Sequence, residues 1–347
     1  MPTRTPDPRT AIPAGDEAQS AATATVAPTA AILPLTPRQA EALGRIGTVG
    51  ALEHAEPAAR LGLRFGHFIF WGVTSATPDV PNLTVWQTVR LGREPADRRW
   101  PGVRDEMAAA LRERPGEFWL VGNEPDVVWQ DNVTPEEYAR AYNEIYTFIK
   151  ERDPSARVGA GGIALPTPLR LAYLDEVLRI YRETYGEELP ADLWSIHLFI
   201  LREERDSWGI GIPPGMDATS GELYEIEDHG NFELVKQYVG VFREWMAANG
   251  YADKPLAVTE FGILLPQDYG FPPELVRQYM IDAFDYFRTA TDPHGPAADG
   301  GRSVQFAFWY SLYDDGDYPT GNLFDASRGA LTPLGEAFVD YIEGTTR

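Results

Sequence analysis

Two apolar runs in this chain each end in a glutamate. Phe118-Trp119-Leu120-Val121-Gly122 leads into Asn123, Glu124, Pro125 and Asp126, and Pro255-Leu256-Ala257-Val258-Thr259 leads into Glu260, Phe261 and Gly262. A carboxylate at the end of a buried strand carries a desolvation cost unless it is paired or used. Two of them at one rim suit cleavage of a glycosidic bond: one carboxyl protonates the leaving oxygen while the other attacks the anomeric carbon, about 5–5.5 Å away in the retaining case. Neighbouring carboxyls resist double ionisation, so the proton donor is expected to titrate above the nucleophile. Pro125 steers Glu124 away from helical geometry.

Other chemistries find less support. The chain has no cysteine, which removes disulfides, thiolate zinc sites and cysteine nucleophiles. Its five histidines (His54, His67, His197, His229, His294) show no paired metal-ligand spacing. Asp314-Asp315-Gly316-Asp317 has the acids of a calcium loop, but Pro319 breaks that pattern, and a solvated acidic turn accounts for it better. No Gly-x-Ser-x-Gly elbow is present. No metal and no cofactor is expected.

The glutamates need a frame that brings two distant strand ends together. From about Leu35, near-continuous apolar runs alternate with helical stretches, the pattern of parallel βαβ units. Strands are predicted over Arg64–Phe70, Phe118–Gly122, Val158–Gly161, Trp194–Phe199, Leu256–Glu260 and Val304–Trp309, with weaker runs at Ile46–Gly50 and Leu83–Val89. That makes about eight, the number that closes a (β/α)8 barrel, in which the C-terminal strand ends form the active-site face. Helices are predicted from Thr134-Pro135-Glu136-Glu137 to Asp153-Pro154 and over Leu171–Tyr185, Phe232–Asn249, Pro273–Thr289 and Pro333–Ile342. A doubly wound sheet would use the same alternation. The glycines at 159, 161 and 162 are not a phosphate loop, however, because Pro166 and Pro168 delay the next helix, so tight turn geometry is expected there.

With Asn123-Glu124 closing the fourth strand and Glu260 the seventh, the chain resembles the clan A (β/α)8-barrel glycoside hydrolases. Its Gly-Asn-Glu-Pro-Asp and Thr-Glu-Phe-Gly segments look most like the glycosyl hydrolase catalytic-core group, which includes β-1,3-glucanases. The likeness spans about Ile46 to Ile342. It implies Glu124 as general acid/base, Glu260 as nucleophile of a retaining hydrolase, and Asn123 as a hydrogen-bond partner of the sugar 2-hydroxyl. It also implies a platform role for Trp309 at the end of the eighth strand, with core packing as the alternative, and a contact of His197 with the nucleophile, with a hydrogen-bonded core histidine as the alternative. Trp71 and Trp129 are candidate subsite platforms. Residues 200–230 form a long loop, with Trp208 and His229, expected to shape one side of the cleft. Trp86, Trp119 and Trp194 lie within strands and are read as core. A transglycosylase would share every catalytic residue, and a catalytically inactive carbohydrate-binding barrel would keep the cleft alone.

Composition narrows the partners. Lys and Arg number 30 against 52 Asp and Glu, a net charge of −22. Such a surface repels phosphate backbones and anionic polysaccharides, so nucleic acid is not expected and a neutral oligo- or polysaccharide is. No run is apolar enough for membrane insertion. Residues 1–35, rich in Pro, Ala and Thr, are expected to be a disordered tail or linker ahead of one catalytic domain over residues 36–347. Such a stalk suits a secreted or cell-surface-tethered enzyme, although no export signal is visible, and an ordinary cytosolic tail is the alternative.

Overall fold

A computed structural model describes residues 35–316 and 318–344. The expected tail thus lies, apart from Leu35, outside the described residues. Eight parallel strands, β1 (Ile46–Val49), β2 (His67–Phe70), β3 (Thr84–Val89), β4 (Phe118–Val121), β5 (Arg157–Ile163), β6 (Leu193–His197), β7 (Leu256–Phe261) and β8 (Phe306–Trp309), pair in sequence order, and β8 closes on β1. This is the (β/α)8 barrel that the alternation predicted. Each of the eight predicted runs overlaps one strand.

The helices are α1 (Pro37–Leu43), α2 (Ala55–Arg60), α3 (Arg104–Glu113), α4 (Pro135–Arg152), α5 (Pro168–Tyr185), α6 (Phe232–Ala248), α7 (Pro273–Thr289) and α8 (Pro333–Glu343). α4 starts as its sequence dictates. The Thr134 hydroxyl accepts from the Glu137 amide at 3.3 Å, the Glu137 carboxylate accepts from the Thr134 amide at 2.8 Å, and Pro135 fills the first position. One gap lacks the helix that alternation implies: β2 runs to β3 through residues 71–83 without one. Arg114 occupies that place chemically, donating to the carbonyls of Thr74 at 2.6 Å and Ser75 at 2.7 Å, while the Gln87 side chain accepts from the Thr74 amide at 3.0 Å.

Strand alternation sorts the core into two shells. Inward residues Val49, Ile69, Trp86, Phe118, Leu120 and Phe308 fill the barrel, with Trp86 stacked flat on Phe118 at 4.0 Å. Outward residues, among them Trp119 and Trp194, pack under the helices with almost no exposure, so these two and Trp86 are core as read. Removing one such ring costs about 3–5 kcal/mol, which is why strand parity is strongly specified here. Gly161, at φ +98°, lies where a Cβ would meet the Ser195 carbonyl at 2.4 Å, and the β5–β6 register shifts beside it. The glycine cluster is therefore a bulge, and Gly162 gives its carbonyl to the Glu124 amide at 2.9 Å.

Candidate active site

The barrel brings the two glutamates onto one imidazole. His197, at the end of β6, places Nδ1 3.0 Å from Glu124 Oε1 and 3.7 Å from Glu260 Oε2. Because both oxygens touch one nitrogen, the carboxylates can be no farther apart than those two distances laid end to end. Trp71, just past β2, donates its indole N–H to Glu260 Oε1 at 2.7 Å. His197 is thus a buried histidine hydrogen-bonded to Glu124, with Glu260 beside the same nitrogen.

Glu124 has a left-handed backbone, φ +44°. Such a conformation costs about 1–3 kcal/mol in a non-glycine residue and persists only when its surroundings fix it. Here Gly162 accepts its amide and its carbonyl accepts from the Val127 amide at 3.1 Å. Asp131, buried under the same loop, accepts from the Asn123 amide at 2.9 Å, the Leu91 amide at 3.0 Å and Arg90 Nε at 2.8 Å. β3 and β4 therefore end in register, with Asn123 half-buried at the rim.

Burial governs the charge of Glu260 and His197. Burial is the largest influence on Glu260 and, with Glu124 nearby, raises its pKa to about 7, although His197 and the Trp71 hydrogen bond oppose the rise. Burial also works against charge on His197, yet Glu260 and the hydrogen bond to Glu124 outweigh it, and its pKa is raised. The carboxyl pushed up is thus the one assigned as nucleophile.

Two sequence assignments are corrected. Trp309 is fully buried: its ring packs edge-on against Phe261 at 5.5 Å and its N–H is taken by the Gly321 carbonyl at 2.8 Å. It faces the helices and cannot meet a sugar. The next residue, Tyr310, turns into the mouth, 5.7 Å from both the Trp71 and Phe199 rings, with its hydroxyl on Asp314 at 2.8 Å. His229 is likewise buried, its Nδ1 on the Ile200 carbonyl at 3.0 Å and its Nε2 accepting from the Leu264 amide at 2.9 Å. Burial lowers its pKa to about 4, so it is a neutral staple between loops, not a sugar ligand. Trp129 and Trp208 are exposed, and the Trp129 indole N–H reaches the Gly209 carbonyl at 3.3 Å.

Sequence reasoning passed over the buried cluster that joins these two loops. Arg170 on α5 is fully buried and donates to Asp126 Oδ2 at 2.5 Å, the Ile210 carbonyl at 3.0 Å and the Gly211 carbonyl at 2.8 Å. Its Nε lies 2.9 Å from Glu203 Oε1 without the angle of a hydrogen bond, and Thr167 donates to that same oxygen at 2.8 Å. Asp126 belongs to the loop after Glu124 and Glu203 to the long loop after β6. Only the Asp in Gly-Asn-Glu-Pro-Asp hinted at this arrangement.

An eight-stranded parallel barrel with two glutamates and a histidine joined at its C-terminal mouth is the class that fold and site define. No protein-family model matches the chain, nor does any curated protein sequence. Solved structures do match. A GH128 (subgroup II) endo-β-1,3-glucanase from Pseudomonas viridiflava is 18% identical at a TM-score of 0.55, over 85% of this chain and 96% of that one. A GH128 (subgroup III) curdlan-specific exo-β-1,3-glucanase from Blastomyces gilchristii, solved with glucose, is 16% identical at a TM-score of 0.55, over 86% and 98%. A GH128 (subgroup VII) oligosaccharide-binding protein from Trichoderma gamsii is 15% identical at a TM-score of 0.54, over 91% and 100%. At these identities the likeness is one of fold.

Proposed function

We propose that this protein is a retaining glycoside hydrolase acting on a neutral β-glucan, with β-1,3-linked glucan the first substrate to test. The observation that carries the reading is the approach of Glu124 and Glu260 to the same nitrogen, Nδ1, of His197 at the C-terminal rim. Glu260, oriented by Trp71, is the nucleophile, and the bound on carboxylate spacing fits a direct attack on the anomeric carbon. When Glu260 is ionised, its charge and the hydrogen bond to Glu124 keep a proton on the His197–Glu124 pair, where Glu124 delivers it to the glycosidic oxygen. Glu124 then takes a proton from the water that releases the glycosyl-enzyme. Asn123, half-buried beside Glu124, holds the sugar hydroxyl next to the reacting carbon, and Tyr310 supplies the ring beneath it. The solved β-1,3-glucanases of like fold favour that linkage, and the net charge of −22 disfavours an anionic chain. Export to the cell exterior, where such polymers are met, is part of the proposal.

The test is hydrolysis of a panel of β-glucans followed by NMR of the first product, with Glu260→Ala and Glu124→Gln alongside. Retained anomeric configuration and loss of turnover in Glu260→Ala, partly restored by azide with inversion, are expected. Inverted wild-type product overturns the double displacement. Net chain lengthening would make the protein a transglycosylase, and binding without turnover would make it a carbohydrate-binding barrel, as one protein of like fold is described.

A further inference from the structure

We infer that the exposed rings of Trp129 and Trp208 form a glycan-binding wall on the leaving-group side of the cleft, so that the substrate is a chain continuing past the cleaved bond. The inference rests on the glycosidase reading above and adds direction to it.

The direction comes from the order of strands round the barrel. Trp71 follows β2 and Tyr310 follows β8; their rings lie 5.7 Å apart, and the Trp71 N–H is on the nucleophile Glu260. The sugar attacked by Glu260 therefore lies over the β8–β1–β2 arc. Glu124 protonates the bond leading away from that sugar, and its strand, β4, belongs to the opposite arc. There stand Trp129, five residues after Glu124, and Trp208, in the loop after β6.

The wall is built rather than incidental. Trp129 is 59% exposed and Trp208 36%, a hydration cost for rings this size unless something covers them. Neither loop is slack. The Trp129 loop folds back on itself, the Val133 amide bonding the Pro125 carbonyl at 2.9 Å, and Arg93 holds the Val128 carbonyl at 2.5 Å. The Trp129 indole N–H bridges to Gly209 in the Trp208 loop. Beneath them the buried Arg170 ties Asp126 of one loop to Glu203, Ile210 and Gly211 of the other. Loops fixed before the ligand arrives lose little entropy on binding, and flat aromatic faces match the apolar faces of neutral sugars.

Two measurements on the full chain test this. In a Glu260→Ala background, β-1,3-linked glucohexaose is titrated calorimetrically with and without the Trp129→Ala/Trp208→Ala pair. The pair is expected to weaken binding by roughly tenfold or more with the melting temperature unchanged. In the active enzyme, hexaose labelled at its reducing end is cleaved by wild type and by the pair variant, and the variant's cleavage point is expected to move towards the label. Unchanged affinity, an unmoved cleavage point, no hexaose binding, or a shift in sedimentation showing that the rings join two copies would each overturn the wall. Hexaose held through the tryptophans but never cleaved would sink the hydrolase and leave the wall standing. Cleavage with an unmoved product pattern would do the reverse.

Discussion

Trp309 and Tyr310 are neighbours in sequence and face opposite sides of the barrel wall. Trp309 lies in the outer shell against Phe261 and Phe284, whereas Tyr310 meets Trp71 and Phe199 at the mouth. Trp309→Ala should therefore destabilise the fold by about 3–5 kcal/mol while each folded molecule keeps its turnover. Tyr310→Ala should do the opposite, lowering kcat/KM with a small change in melting temperature. Denaturant titration and kinetics on the same two variants decide it; a Trp309→Ala protein that stays stable and loses turnover would return that ring to the site.

The raised Glu260 sets the acid side of the pH profile. With a pKa of about 7, the proposed nucleophile is a carboxylate only towards neutral and higher pH, so kcat/KM should climb through pH 6–7, not near the ordinary range of about 4–5. The alkaline limb should follow loss of the proton from His197, whose pKa the neighbouring Glu260 and the hydrogen bond to Glu124 raise. A profile already flat at pH 5 would show that the site ionises Glu260 more easily than its burial implies.

The same shift links to stability. Between the unfolded and folded pKa of Glu260, the folded state holds the extra proton, so stability should fall as pH rises across that window. Glu260→Gln removes the titration. Its melting temperature should exceed that of wild type at pH 8, and the advantage should shrink at pH 5. An equal difference at both values would assign the effect to packing.

His197 lowers the pKa of Glu260 while bonding Glu124. Replacing it with Asn should cost roughly 10–100-fold in kcat/KM, the worth of a hydrogen bond to a charged group. The acid limb should also move to higher pH, because the cation that favours ionised Glu260 is gone. A rate loss with an unmoved limb would make His197 a spacer.

Arg170 stands between two buried carboxylates whose pKa values burial raises despite it. Arg170→Met should destabilise by about 3–5 kcal/mol, since Asp126 and Glu203 are left buried without their cation. Adding Asp126→Asn and Glu203→Gln should restore part of that. No recovery in the triple variant would mean that the guanidinium bonds to Ile210 and Gly211, not the charges, carry the stability.

Much of the molecule was legible in one dimension. Each strand is an apolar run because both its faces are buried, and α4 announces itself through Thr134, Pro135 and Glu137 because a helix N-terminus must satisfy its own amides. Glu124 and Glu260 stood out because carboxylates seldom end such runs. Other features belong to three dimensions. Whether Trp309 or Tyr310 enters the cleft depends on which face of β8 turns inward: Phe306 and Phe308 line the barrel interior, so Trp309 points out and Tyr310 in, a choice that an apolar run on both faces does not announce. His229 reads as a candidate ligand until its two nitrogens are seen spent on backbone groups of different loops. Arg170, Asp126 and Glu203 are far apart in sequence and share a charge balance only after the barrel closes. Local propensity is written in neighbouring residues; which face of an all-apolar strand turns inward, and the partner a buried charge will find, follow only from packing.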